Sequence, residues 1–234
     1  MIVGINEMLN KQNKNSIDYV DWTWNPITGC LHDCSYCYLK RIGKRFNADF
    51  MTPNVHENRI NDILSPKLKS GSRVLVGSSG DMFGEWVGKE DIQKVLDKCT
   101  ERIDVEFMFL TKNPKRYGEF SFGDNCWLGT TIDGENKNVS RKRYDILIDL
   151  MNTVGNRRFV SFEPLLARIP AGMINGLDWV IIGANSNAGA VQPDNKWIGE
   201  IVDEAVRFLI PVWIKNNCKY HPMLKQEPKR KICV

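Results

Sequence analysis

The sequence predicts an α/β protein in which parallel strands alternate with helices, as in a partial or nearly closed parallel (β/α) barrel. Short, nearly continuous apolar runs recur along the 234 residues, helix-spaced apolar positions separate several of them, and a polar residue follows most runs. Such runs suit strands that are buried on both faces. Polar side chains after successive parallel strands are typical of a barrel mouth, where active sites lie.

Seven segments are predicted to be strands or extended chain because they are compact, rich in β-branched and aromatic residues, and bounded by glycine or polar residues. They are Tyr19–Trp24, Arg73–Gly77, Glu106–Leu110, Cys126–Thr131, Arg158–Phe162, Trp179–Gly183 and Pro211–Ile214. The last is either a seventh strand or an edge segment that covers the mouth. An open doubly wound sheet is the alternative, but it would collect polar groups mainly at one switch point.

Three stretches carry apolar residues at helix spacing, which places one apolar stripe on one face. The stripes are Ile92, Val95, Leu96, Cys99 and Ile103; Tyr144, Leu147, Ile148 and Met151; and Ile198, Ile201, Val202, Ala205 and Leu209. Cys99 is therefore expected in the core, and Cys126, which opens a strand, is expected to be buried. No Pro/Gly/Ser-rich linker interrupts the chain, so residues 1–234 are predicted to form a single domain.

Composition excludes a membrane-spanning protein. The longest uncharged apolar stretch, Trp179–Ala184, is far shorter than the roughly 20 residues that cross a bilayer. The first residues lack an apolar core of signal-peptide length, so we expect a cytoplasmic protein. Seven cysteines, three of them within eight residues, do not form the even-numbered pattern of a secreted disulfide framework. In a reducing compartment such a cluster favours metal binding or redox chemistry.

Positive charge is concentrated at the C-terminal end. Residues 215–231 hold six Lys or Arg against one Glu, while the whole chain carries a net charge of +4, so the rest is nearly neutral. We define residues 216–234 as the basic tail. Such a tail either contacts a nucleic-acid backbone or an acidic partner, or is simply solvated.

The strongest chemical signal is the run Cys30-Leu31-His32-Asp33-Cys34-Ser35-Tyr36-Cys37. A loop of this size brings three sulfurs around one small centre, and thiolates favour zinc or iron–sulfur clusters. A structural zinc site normally has four protein ligands, which would make His32 the fourth. A 4Fe–4S cluster would instead keep one iron open to an exogenous ligand.

The Cys-x3-Cys-x2-Cys pattern, with an aromatic residue before the last cysteine, resembles the radical S-adenosylmethionine (SAM) superfamily. Further blocks, spread over residues 21–215, are similar to a phage- and prokaryote-associated radical SAM family without an assigned function. These blocks are Trp24-Asn25-Pro26-x-Thr28-Gly29-Cys30, Trp127-Leu128-Gly129, Ser161-Phe162-Glu163-Pro164-Leu165-Leu166 and Asp178–Gly183. The sequence departs from that family at Lys215-Asn216-Asn217-Cys218, where a Lys-Gln-Trp-Gly-like segment is usual.

The resemblance implies a TIM-barrel-like fold of the radical SAM type and two cofactors. Cys30, Cys34 and Cys37 would hold three irons of a 4Fe–4S cluster, and SAM would chelate the fourth. The reduced cluster would cleave SAM to methionine and a 5′-deoxyadenosyl radical, which abstracts hydrogen from a substrate. An external one-electron donor of the flavodoxin or ferredoxin type is implied as a partner.

The resemblance also implies positions that contact SAM. Tyr36 lies where the superfamily places an aromatic residue near the adenine. The turn after the second predicted strand would meet the SAM amine through Ser78, Ser79 and Asp81, although the usual Gly-Gly-Glu is missing. Small residues let a backbone approach closely, and Ser or Asp oxygens accept from an ammonium group. Residues after later strands complete the set: Thr131, Asp133, Glu163 and Asn185.

Substrate contacts and catalysis are assigned to the same strand ends. Lys112 and Lys215 are expected to bind an acidic group of the substrate. Glu163 and Cys218 are the candidate catalytic residues, and Cys233 in the basic tail is a further cysteine without an assigned role.

Three functions stay open from the sequence. The first is a radical SAM enzyme acting on a nucleic acid or nucleotide, in modification or repair. The second is a radical SAM enzyme acting on a small metabolite or peptide. The third is a non-catalytic zinc or iron–sulfur module that binds nucleic acid.

Overall fold

The computed structural model describes residues 9–13, 17–150 and 155–230, which divide into two compact units. The first unit comprises residues 1–111, 122–126 and 230–234, and the second comprises residues 112–121 and 127–229. Met151 and Cys233 lie outside the described residues. The prediction of a single domain stays a prediction.

The first unit begins with strands β1 (Leu9–Lys11), β2 (Trp22–Trp24) and β3 (Ile27–Thr28) and helix α1 (Tyr38–Phe46). Strand β4 (Asn54–Val55), which pairs with β3, and the short helix α2 (Glu57–Ile60) lead through a 3₁₀ turn to β5 (Arg73–Val76), α3 (Lys89–Thr100) and β6 (Glu106–Thr111). The sheet order is β1-β2-β5-β6. Strands β2, β5 and β6 are parallel, and β1 is antiparallel to β2.

The second unit carries strand β7 (Cys126–Thr131, except its first residue), helix α4 (Lys137–Asp149), strands β8 (Arg157–Phe162) and β9 (Trp179–Ile182), helix α5 (Asn195–Arg207) and strand β10 (Val212–Ile214). The strand order is β7-β8-β9-β10, with every pair parallel. All four residues of β9 are buried, which explains the uninterrupted apolar run Trp179–Ile182. A parallel strand covered on both faces has no solvent side for polar residues.

The helices begin where the sequence offers caps. The Asn136 side chain accepts hydrogen bonds from the backbone N–H groups of Asn138 and Val139 at the start of α4, and Asp194 accepts from Lys196 at the start of α5. These contacts satisfy donors that have no partner within the helix. Helix α3 has Glu90 and Asp91 in its first turn, where negative charge complements the helix dipole.

All seven predicted strand segments contain a strand of the structure, and the three predicted helices are present. Cys99 and Cys126 are buried as expected. Two helical stripes were predicted one turn too long: α3 ends at Thr100 and α5 at Arg207. Ile103 and Leu209 lie beyond those ends and are 54% and 90% exposed, and Leu209 has a φ of 56°, which ends the helix. Both apolar residues continue the helical spacing without packing in the core.

The sequence analysis did not single out helix α1. Tyr38, Leu39, Ile42 and Phe46 recur at helix spacing in YLKRIGKRF, but the helix spans nine residues and buries only Leu39. So short a segment falls below the length over which helical periodicity is read.

Residues 224–226 of the basic tail pack against the second unit. The backbone N–H of Ile214 donates to the Leu224 carbonyl, and Gln226 N–H donates to the Val212 carbonyl. Trp179 Nε1 donates to the carbonyl of Gln226 at 2.9 Å, and the Lys225 ammonium lies 4.7 Å from the centre of the Trp213 ring. Residues 224–226 therefore extend the edge of β10, while the cationic side chains stay exposed.

No helix in the described ranges combines the length and the apolar character needed to cross a bilayer.

One ion pair lies inside the first unit. Arg73 and Glu106 open β5 and β6 opposite each other, with at most 2% of either side chain exposed. Two guanidinium nitrogens, Nε and Nη2, lie 3.0 and 2.9 Å from Glu106 Oε2. Removing only one member of such a pair leaves the other as a buried charge without its counter-charge.

We therefore expect Glu106→Ala to lower the free energy of unfolding by about 3–5 kcal/mol. The double variant Arg73→Met/Glu106→Leu removes both charges and is expected to recover most of that loss. Urea unfolding of the purified proteins measures both effects. A loss for Glu106→Ala that is no larger than that of the double variant would contradict the expectation.

Candidate functional site

The three clustered cysteines lie on the loop between β3 and α1. All three thiols are half-buried and free of disulfide bonds, and Cys37 is the residue directly before α1. The loop is anchored by the Cys30 N–H, which donates to the Met51 carbonyl, and by the Cys37 N–H, which donates to the Cys34 carbonyl. Burial raises the pKa of the Cys30 thiol to about 11, with a smaller contribution from the Asp81 carboxylate. A metal that binds there must displace a firmly held proton.

His32, within the same loop, is held by Asp81. Its Nε2 lies 2.7 Å from Asp81 Oδ2, and its ring stands edge-on to Trp86 with ring centres 4.8 Å apart. Asp81 is itself fixed, because Oδ1 accepts hydrogen bonds from the Phe83 N–H at 3.0 Å and from Thr111 Oγ1 at 2.7 Å. Within the described ranges, no three His, Cys, Asp or Glu side chains are arranged to hold a single metal ion.

The turn after β5 packs directly against the cysteine loop. Asn25 Oδ1 accepts from the Ser79 N–H at 2.8 Å and from Ser78 Oγ at 3.1 Å. The Tyr38 hydroxyl donates to the Ser78 carbonyl at 2.8 Å, and the Gly29 N–H donates to the Ser79 carbonyl at 2.9 Å. The predicted SAM turn and the cysteine loop therefore form one hydrogen-bonded body within the first unit.

Two glycines allow this close approach. A Cβ on Gly80 would lie 2.6 Å from the Gly29 carbonyl oxygen, and a Cβ on Gly29 would lie 2.3 Å from the Thr52 oxygen. Gly29 also has a φ of +84°, a conformation that L side chains rarely adopt. Gly80 is therefore required for the turn to meet the loop, and Gly29 for the loop to pass close to Thr52.

In the second unit, Lys112 is paired with Asp133. The Lys112 ammonium lies 2.9 Å from Asp133 Oδ2, and Arg143 Nη1 lies 3.9 Å from the same oxygen. The Arg143 guanidinium also donates to the Lys112 and Thr131 carbonyls. Asp133 thus neutralises the cation predicted to bind substrate, and any acidic ligand there must compete with this carboxylate.

A second charged group joins the ends of β8 and β10. The Lys215 ammonium donates to Glu163 Oε1, and Ser161 Oγ donates to Glu163 Oε2 at 3.4 Å. Gly183 leaves room for this carboxylate, since a Cβ there would lie 2.7 Å from the Glu163 carboxyl carbon. The peptide bond between Glu163 and Pro164 is cis.

Cys218 lies beside this pair. Burial, and next the Glu163 carboxylate, raise the pKa of its thiol to about 11, so the thiol stays protonated at neutral pH. Its loop is tied to the end of β9, because Asn217 exchanges hydrogen bonds with the backbone of Ala184. Asn185 is used locally, since its Oδ1 accepts from the Asn187 N–H at 3.0 Å.

The structure therefore brings together Cys30, Cys34 and Cys37 with Ser78, Ser79 and Asp81 in the first unit, and Glu163 with Lys215 and Cys218 in the second. Tyr36 is half-buried on the cysteine loop. Sequence reasoning gave no role to several residues that hold these groups: Asn25, Tyr38, Trp86, Thr111, Arg143 and Asn217. Asn25 stands within a motif block, Tyr38 directly follows the three-cysteine motif, and Asn217 lies in the segment that departs from the family. Trp86, Thr111 and Arg143 carry no sequence signal, because their partners are distant along the chain.

With this geometry established, the chain can be compared with known proteins. A family model described as "protein of unknown function (DUF5131)" matches residues 14–232. The chain belongs to this family. No curated protein matches the sequence.

Solved structures of spore photoproduct lyase resemble this chain in fold. Spore photoproduct lyase complexed with dinucleoside spore photoproduct is similar with a TM-score of 0.55 and 12% identity, covering 91% of this chain and 80% of the lyase chain. A lyase double mutant with bound AdoMet and the same dinucleoside product matches with a TM-score of 0.52 and 11% identity, over 84% of this chain and 76% of the other. At such identity the likeness establishes the fold, and the predicted α/β fold class is confirmed.

Proposed function

We propose that this protein is a radical SAM enzyme with a 4Fe–4S cluster held by Cys30, Cys34 and Cys37. The observation that carries the proposal is the arrangement of three free, half-buried thiols on one loop that is bonded to the turn after β5. The donor set fits this cluster: three soft thiolates are present, and His32 is engaged by Asp81. Similarity in fold to a lyase that holds AdoMet supports the proposal.

When bound and reduced, such a cluster supplies the electron that cleaves SAM to methionine and a 5′-deoxyadenosyl radical. The chain's own task is to position the parts and exclude water. We assign SAM binding to Tyr36 and to Ser78 and Ser79 of the turn after β5. Residues at the later strand ends are assigned to contacts with SAM or substrate: Thr131, Asp133, Glu163 and Asn185. Of these SAM-binding side chains, Ser78 is held in place by a hydrogen bond from its hydroxyl to Asn25 Oδ1.

Cys218 and Glu163 are proposed as the catalytic residues of the second unit. A thiol that donates a hydrogen atom must carry its proton, and burial together with the Glu163 carboxylate raises the pKa of Cys218 to about 11. Lys215 supplies the counter-charge of Glu163, so neither charge is left unpaired in this half-buried position.

The cluster assignment predicts that Cys34→Ala abolishes SAM cleavage and lowers the iron content. The protein is reconstituted anaerobically with iron and sulfide, reduced with dithionite and given SAM, and 5′-deoxyadenosine is quantified by mass spectrometry. Cys99→Ala is the matched control: it removes a buried thiol outside the loop, keeps cleavage, and costs about 1–3 kcal/mol of stability. Purified protein that contains zinc and no iron would favour the non-catalytic metal module instead.

We further propose a nucleic acid or nucleotide as the substrate. Support comes from the lyase structures of the same fold, which hold a dinucleoside photoproduct, and from exposed cations of the basic tail such as Lys219 and Lys229. A small metabolite or peptide is the alternative. Because residues 224–226 pair with β10, deleting the tail would disturb the sheet, so side-chain substitutions are the appropriate test.

The substrate proposal predicts salt-dependent binding of a single-stranded oligonucleotide. Each lost phosphate contact is expected to reduce the slope of log affinity against log salt by about one, so Lys219→Gln/Lys229→Gln should reduce both affinity and slope. Lys89→Gln/Lys196→Gln removes equal charge from the starts of α3 and α5 and serves as the control. Fluorescence anisotropy measures all three proteins, and absence of binding at low salt would favour the small-molecule alternative.

The electron donor is proposed to dock on α1. This helix begins directly after Cys37, carries four cations and no acidic residue, and exposes Arg41, Lys44 and Arg45. Those three side chains have no ion pair among the described residues, and Phe46 beside them is exposed, with the Arg45 guanidinium 5.5 Å from its ring centre. An acidic one-electron carrier would be steered to such a surface.

This assignment predicts an effect that depends on the source of electrons. Arg41→Glu/Lys44→Glu/Arg45→Glu should lose most 5′-deoxyadenosine formation driven by reduced flavodoxin, while formation driven by dithionite persists because a small reductant needs no docking surface. Lys137→Glu/Lys142→Glu, on the exposed side of α4, is the control. No loss with flavodoxin would place the donor elsewhere, and equal loss with both reductants would mean that the substitutions damage the cluster loop and not the docking of the donor.

A further inference from the structure

We propose that Asp81 is a positioning residue that holds His32 out of the metal ligand set and so keeps one coordination position open for an exogenous ligand. The inference rests on the proposed function, because it concerns the same cysteine loop. It differs from the role that the sequence resemblance implies for Asp81, which is contact with the SAM amine.

The cysteine loop carries a complete tetrahedral donor set in its sequence. Three thiols and one imidazole lie between residues 30 and 37, and Cys₃His is a common ligand set of structural zinc sites. A fourth protein ligand would close the site, whereas catalytic metal centres keep one position open. Something in the fold must therefore control where the imidazole points.

The contacts of Asp81 provide that control. Its side chain is only 7% exposed, and its Oδ2 lies 2.7 Å from His32 Nε2. The opposite oxygen accepts from the Phe83 N–H and from Thr111 Oγ1, at the start of the next loop and at the end of β6. The Asp81 carboxylate is thus held by the backbone after β5 and by β6, independently of its hydrogen bond to the His32 imidazole.

Trp86 limits the other movements of the ring. The planes of the His32 and Trp86 rings meet at 76°, with centres 4.8 Å apart, so the imidazole is held edge-on between an aromatic ring and a carboxylate. A metal-ligating histidine commonly donates its second ring N–H to a carboxylate. Here the nitrogen bound to Asp81 is Nε2, the more distant of the two ring nitrogens from the backbone and the one with the longer reach toward a loop metal.

Removal of the carboxylate should therefore free His32 to become the fourth ligand. The test begins with the apoprotein, which is titrated with Co²⁺ and Zn²⁺ under anaerobic, reducing conditions. Asp81→Ala is expected to bind Zn²⁺ at least tenfold more tightly than the native protein and to give the strong visible absorption of tetrahedral Co²⁺. Asp81→Ala/His32→Ala should return to native affinity, and Asp81→Asn, which keeps an acceptor oxygen, should lie between.

The reconstituted protein gives a second readout. Electron paramagnetic resonance of the reduced cluster should change when SAM is added to the native protein, fail to change in Asp81→Ala, and change again in Asp81→Ala/His32→Ala. A SAM response that stays absent in the double variant would overturn the proposal and favour direct contact between Asp81 and SAM. Unchanged or weaker Zn²⁺ binding by Asp81→Ala would also overturn it, since weaker binding is the result expected if His32 ligates through Nδ1 while Asp81 orients its ring.

Thr111→Val serves as a milder variant in case Asp81→Ala does not fold. It removes one donor to Asp81 without changing the loop, so it should shift Zn²⁺ affinity in the same direction by a smaller factor. A native protein that binds no iron and shows no SAM response would refute the proposed function, whereas the apoprotein titrations would still decide the role of Asp81.

Discussion

The hydrogen bonds between the cysteine loop and the turn after β5 are the constraint on which the rest of the candidate site depends. A loop with three thiols has no secondary structure of its own, and its shape must come from elsewhere. Asn25 and Tyr38 bind the turn, Asp81 of the turn binds His32 of the loop, and Gly80 lets the two backbones touch. If either segment moved alone, these contacts would be lost together.

In the second unit, contacts between residues distant in the sequence fix the charged side chains in the same way. Asp133 forms ion pairs with Lys112 and Arg143, and Glu163 accepts hydrogen bonds from Lys215 and Ser161. Each cation predicted to meet a substrate is thus neutralised inside the protein. Ligand binding there would exchange one anionic partner for another, which limits the cost of keeping charges in a half-buried position.

Sequence periodicity described the core well for a physical reason. Strands covered on both faces and helices with one buried stripe leave clear apolar patterns, and both β9 and α3 follow them. Helix α1 was missed because it spans only nine residues and buries one of them, and the ends of α3 and α5 were overestimated because Ile103 and Leu209 continue the spacing while exposed. Local spacing therefore cannot show where burial stops.

The sequence alone determined the strand and helix segments of the core and the strand ends as places for polar side chains, and it indicated the three-cysteine loop as the candidate chemical centre. These follow from residue type and spacing along the chain. Only the tertiary structure decided that His32 faces Asp81, that Asn25 holds the turn, that Lys112 and Lys215 are already paired, and that the basic tail packs against β10. Such contacts join residues far apart in the chain, and no local pattern records which partner a polar side chain will meet.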